Sequence, residues 1–142
     1  MEKYIIPALI GAAAGLFAAY WRTRYAAQAQ DLSKRIEELC DSIAKLEELS
    51  CGYWDAKEDK SSSHYILGVK TKISLLINYL DEEYKEFSKD KTSDILSEFF
   101  DSCTGGKFGS EEVASDSARQ RKILITGEKL KIDLMKSRHK LY

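Results

Sequence analysis

YIIPALIGAAAGLFAAYW, Tyr4 to Trp21, carries no charged side chain and runs directly into Arg22-Thr23-Arg24. Three readings compete for it: a buried core helix, a cleaved signal peptide and a membrane span. Its 18 residues, at 1.5 Å rise each, make about 27 Å of helix, close to the ~30 Å hydrocarbon layer of a bilayer. A soluble core helix of that length shows a polar stripe, and none is present. Tyr4 at one end, with Tyr20 and Trp21 at the other, stand where aromatic residues gather at membrane interfaces. Pro7 falls in the first turns, where few helical bonds depend on its missing N–H. The expectation is a membrane span.

A signal peptide has one argument in its favour, the small-x-small triplet Ala27-Gln28-Ala29. Against cleavage, only Glu2 and Lys3 precede the apolar run, and two arginines and three aromatic residues (Tyr20, Trp21 and Tyr25) lie between Ala19 and that triplet. The three cysteines, Cys40, Cys51 and Cys103, are an odd number and fit a secreted disulfide framework poorly. A retained anchor over residues 1–24 is favoured. Lys3 is the one basic residue before the span, whereas Arg22, Arg24, Lys34 and Arg35 follow it closely. The positive-inside rule then puts the N-terminus outside and everything after Trp21 in the cytoplasm.

Small residues recur within the span. Gly11, Gly15 and Ala19 lie four apart, a small-xxx-small ladder that lets two helix backbones approach closely. Ala8, Ala12, Ala13, Ala14 and Ala18 are read as making the remaining faces small as well, which suits higher oligomers. Beyond the span, Tyr25, Ala29, Leu32, Ile36, Leu39, Ile43 and Leu46 step 4-3-4-3, a heptad seam. No turn signal separates seam from span, so one helix is expected to reach about Cys51, with residues 25–56 forming a rod. Two uses of the seam stay open: pairing with other copies as a coiled coil, or packing on the chain's own domain.

Residues 57–142 read as a cytoplasmic helical domain, and the fold class as all-α. The 32% of charged residues and the single proline suit long solvated helices. KEDKSSS, Lys57–Ser63, is the first polar connection, its serines candidate helix caps. A second helix then carries Tyr65, Ile66, Val69, Ile73, Leu76, Ile77, Leu80, Tyr84 and Phe87 on one face. A shorter helix carries Ile95, Leu96, Phe99 and Phe100. A last helix, capped by Ser115, runs to about Arg138 with Ile123, Leu130 and Leu134 in step.

Chemistry finds little purchase. Thr104-Gly105-Gly106-Lys107 lacks the leading glycine of a phosphate loop, with Asp101 in its place, and Phe108 follows where Ser or Thr is needed. A helix stop with Phe108 folded back on the core explains it better. His64 and His139 stand alone, outside any zinc spacing. The cysteines read as small hydrophobes, and Glu47-Glu48 and Glu82-Glu83 as solvated faces. No catalytic residue, cofactor, metal or small-molecule substrate is indicated. Charge is unevenly spread: residues 81–116 hold eleven acids against four lysines, and 119–142 hold eight Lys and Arg against two acids. Arg119, Arg121, Lys122 and Arg138 are therefore candidate contacts for anionic lipid or RNA, against the alternative of pairing within the protein.

The order of a small-residue span, LEELSCGYWD, LSEFFDSCTGGKFGS and then Arg119 and Arg121 opening a final helix resembles a group of small bacterial single-span proteins. Among named families it is similar to the membrane accessory proteins of RNA-targeting CRISPR systems. That resemblance implies a homo-oligomeric pore in the bacterial inner membrane, acting in antiphage defence. It also implies kinship with the helical HEPN class, whose nucleases use Arg-x4-6-His. No arginine stands at that spacing before His64 or His139, so the resemblance does not extend to RNA cleavage. From a different class, the alternative is a membrane-anchored helical adaptor docking a cytoplasmic protein or RNA.

Overall fold

The computed structural model describes residues 2–55, 63–85, 87–106, 108, 109 and 115–139. Among them are four α-helices and no strand: α1 (Glu2–Tyr53), α2 (Ser63–Glu83), α3 (Ser93–Thr104) and α4 (Ser117–His139). A 3-10 turn, Lys89–Lys91, leads into α3. The all-α class is therefore what the chain adopts. Apart from Ser63, the KEDKSSS connection lies outside the described residues.

The 52-residue α1 is unbroken because nothing in it breaks a helix; Pro7 sits in its second turn. Its two parts live in different surroundings. Residues 3–28 are exposed throughout, and Ala29 is the first buried residue. From there Leu32, Ile36, Leu39, Ile43 and Leu46 are all at most 2% exposed. Of the two uses left open for the seam, the chain takes the internal one. The residues expected to form a rod are the central helix of the chain's own bundle.

Around that helix α2 and α4 both run antiparallel to it. The Tyr84 hydroxyl donates to Asp31, whereas Val69 and Lys72 lie beside Asp41 and Lys45. On the other flank, Gln120 Nε2 donates to the Cys51 carbonyl at 2.8 Å, and Lys131 reaches Glu47. Ile66, Ile73, Ile77 and Leu80 of α2 and Ile123, Leu130 and Leu134 of α4 supply the apolar surface that covers the seam. Phe99 and Cys103 of α3 close the remaining side. Burying such side chains stabilises by about 1.5–3 kcal/mol each, before the entropy of ordering them.

Several expectations change at the edges. Tyr65 is 72% exposed and does not share the buried face of α2. Tyr84 and Phe87 lie beyond the helix end but still pack on the core. α4 is capped by Asp116 rather than Ser115: its Oδ1 accepts from the Arg119 N–H at 2.9 Å, and its carbonyl accepts the first helical bond, from Gln120. The β-branched ILIT stretch stays helical, with Ile123 and Thr126 buried and Leu124 and Ile125 outward.

Candidate functional site

Three places collect the residues that the sequence singled out. The first is the projecting part of α1. Gly11, Gly15 and Ala19 are exposed, and a Cβ added at either glycine would meet nothing within 4 Å. The helical phase corrects the expectation that small residues coat all faces. At about 100° per residue, Ala8, Gly11, Ala12, Ala14, Gly15, Ala18 and Ala19 gather on one side. Ile5, Ile6, Leu9, Ile10, Leu16 and Phe17, all exposed, cover the other. Only Ala13 among the small residues falls on the large-residue side. Among the described residues this is one helix long and apolar enough to cross a membrane, and none of that apolar window is buried.

The second place is the far end of the bundle, where α1 stops. The segment LEELSCGYWD, the described residues of the loop after α3 (Gly105, Gly106, Phe108 and Gly109) and the start of α4 converge there. Tyr53 is 2% exposed; its ring stacks on Phe108 with centroids 4.5 Å apart, and its hydroxyl accepts from the Gly109 N–H at 2.9 Å. Trp54 donates its indole N–H to the Cys103 carbonyl at 3.0 Å. Arg119 lies over the Trp54 ring, 4.7 Å from its centroid, and donates to the carbonyls of Asp101 and Ser102 at 3.0 and 3.1 Å. Trp54 and Arg119 thus satisfy the Cys103 and Ser102 carbonyls at the end of α3, and Arg119 adds a second donor to the Asp101 carbonyl, which already accepts from the Gly105 N–H at 2.7 Å.

The glycines of that loop follow from this packing. Gly106 has a φ of +62°, and a Cβ there would stand 2.7 Å from Arg119 Nη2. A Cβ on Gly105 would stand 2.5 Å from the Asp101 carbonyl oxygen. Thr104 donates to the Phe100 carbonyl and accepts from Lys70 Nζ at 3.2 Å. Gly105, Gly106, Phe108 and Gly109 pack against the ends of α1, α3 and α4, the contacts expected of a helix stop; Lys107 lies outside the described residues. Arg119, a candidate anion contact, is committed to α3 and to Asp116, 3.6 Å away. Arg121 and Lys122 are exposed on the first turns of α4, and Arg138 lies in its last turn.

The third place was missed in the sequence. Glu47, expected on a solvated face, is 9% exposed, and Lys131 Nζ lies 3.0 Å from its Oε1 and 3.1 Å from Glu128. Burial opposes the charge on Lys131, but the Glu47 and Glu128 carboxylates beside its ammonium outweigh it and hold its pKa above the usual lysine value. Gly127 makes room: a Cβ there would stand 2.3 Å from Glu47 Oε1 and 2.8 Å from its Cγ. The available signal was a glycine inside a helical pattern, four residues before a lysine.

Burial pushes the Cys103 thiol up to about 12 and raises that of Cys51, the opposite of an activated nucleophile. Among the described residues, no three His, Cys, Asp or Glu side chains form a metal-binding group. No protein-family model matches the chain, and comparison with curated proteins and with solved structures finds no match.

Proposed function

We propose that the chain is a single-pass membrane protein that self-associates through the small-residue face of its span and carries a helical bundle on the same unbroken helix. The observation behind this reading is the uncovered apolar stretch of α1, residues 4–21, exposed throughout, beside a bundle that buries its own seam from Ala29 to Leu46 and leaves only the seam's first member, Tyr25, exposed. A helix of that composition outside water needs lipid or other helices around it. The large-residue side suits lipid contact, and the small side suits a neighbouring helix. With the heptad seam consumed internally, assembly falls to the span.

Orientation follows from Arg22 and Arg24 and puts the bundle in the cytoplasm of a bacterial cell. The resemblance to CRISPR accessory proteins extends the proposal to a pore in antiphage defence. The adaptor reading has its own support in exposed Leu67, Leu75 and Tyr79 on α2 and Leu124, Ile125 and Ile132 on α4, outward apolar surface a cytoplasmic partner could cover. Membrane integration and topology are tested with Lys72→Cys, an exposed site on α2. The expected result is a protein that resists carbonate extraction and reacts with an impermeant maleimide only after lysis. Extraction into the soluble fraction would contradict the span, and labelling in intact cells would contradict the orientation.

A further inference from the structure

The junction between span and bundle contains a cleft of about 300 Å³, lined by Trp21, Arg24, Tyr25 and Gln28 of α1 and by Glu83 and Lys85 at the end of α2. Tyr84, whose hydroxyl donates to Asp31, completes its lining. Its depth along the helix is the first argument for what fills it. Trp21 to Gln28 rises about 10 Å, and the headgroup layer of one leaflet is roughly 5–7 Å deep. If Tyr4–Trp21 spans the hydrocarbon, the cleft opens at headgroup level.

Its chemistry is the second argument. Among the described residues, Arg24, Glu83 and Lys85 have no ion-pair partner within 4 Å, although both signs of charge meet there. Two cations with an amide suit a phosphodiester, and a carboxylate beside them suits a primary ammonium. Trp21 and Tyr25 border the cleft on the span side, where amphipathic rings meet the glycerol region.

We propose that this cleft binds the headgroup of a zwitterionic phospholipid bearing a primary amine. The phosphate is held by Arg24 and Lys85 and the ammonium by Glu83. This rests on the membrane-span reading. The occupied cleft would fix the height of the bundle above the bilayer, because α2 and the span would grip one lipid together.

The test uses the full chain in nanodiscs of mixed phosphatidylethanolamine and phosphatidylglycerol, with retained lipids identified by native mass spectrometry. The wild type should retain the ethanolamine lipid in preference. Arg24→Ala and Lys85→Ala should each lower total retention about tenfold, the loss expected of one charge-assisted hydrogen bond, and Arg24→Lys should restore part of it. Glu83→Gln should abolish the preference for ethanolamine while leaving phosphatidylglycerol retention intact. Equal retention of both lipids by the wild type, a preference for the glycerol headgroup, or unchanged retention in the alanine variants would overturn the proposal. Flotation with vesicles runs alongside: a chain that does not float refutes the span and the cleft together, whereas one that floats with unaltered lipid retention refutes the cleft alone.

Discussion

Gly127 sits in the middle of α4, where alanine would ordinarily stabilise a helix by about 1 kcal/mol. Here the added Cβ has to displace Glu47, whose carboxylate occupies that space and holds Lys131. Gly127→Ala should therefore destabilise the protein by about 1–2 kcal/mol in urea unfolding, the order of a displaced charged hydrogen bond. In a Glu47→Ala background the same substitution should become neutral or stabilising, a coupling that a double-mutant cycle reads directly. An additive cycle would mean that Glu47 does not fill the glycine's space. Lys131→Met removes the only cation that the described residues place within 4 Å of Glu47 and should cost about 2 kcal/mol near pH 7. Because the folded pKa of Lys131 is raised, its contribution is fully present below the usual lysine value and is lost as pH rises through the folded one. Wild type and variant should accordingly converge in stability only in strongly alkaline solution. Apart from the glycine inside a helical pattern, none of this was legible in the sequence: Glu47 belongs to no period of its own, and its burial depends on a helix eighty residues further on.

At the scale of elements, periodicity predicted the buried positions of α1 and α4 because one face of each helix alone can be covered. Leu32, Ile36, Leu39, Ile43 and Leu46 are all buried, as are Ile123, Leu130 and Leu134. What periodicity could not supply was the identity of the covering surface, since a heptad seam reads the same against another copy as against α2 and α4. The two uses differ in a measurable way. Ile43→Ala should destabilise the bundle by about 3 kcal/mol, with an unfolding midpoint that does not depend on protein concentration. A concentration-dependent midpoint would place Ile43 between copies. Helix ends were read less well. Asp116 rather than Ser115 caps α4, and Arg119 serves α3, because carbonyls at the end of one helix select a side chain from another. Arg119→Met keeps much of the packing over Trp54 but strips the bonds to Asp101 and Ser102. It should cost about 2 kcal/mol, the order of hydrogen bonds from a charged donor, read as a lower urea midpoint.

At the scale of the whole molecule, the chain is a single long helix put to two uses, one half bare and apolar, the other the spine of a bundle. The bare half was legible in the sequence from length and lack of charge; the one-sidedness of its small residues was legible too, from about 100° per residue along the expected helix, and counting small residues without their phase missed it. That side is where copies of the chain should meet. Gly11→Leu with Gly15→Leu tests this without disturbing the bundle, because a Cβ at either glycine meets open space and the nearest buried residue is Ala29. The decisive measurement is the mass of the detergent-solubilised assembly, by light scattering and by crosslinking within the membrane, for wild type and for this double variant. The expected result is an oligomer for the wild type and a variant that still integrates into the membrane but runs as a monomer. A wild type that is already monomeric, or a variant whose oligomer is unchanged, would contradict assembly through the small-residue face.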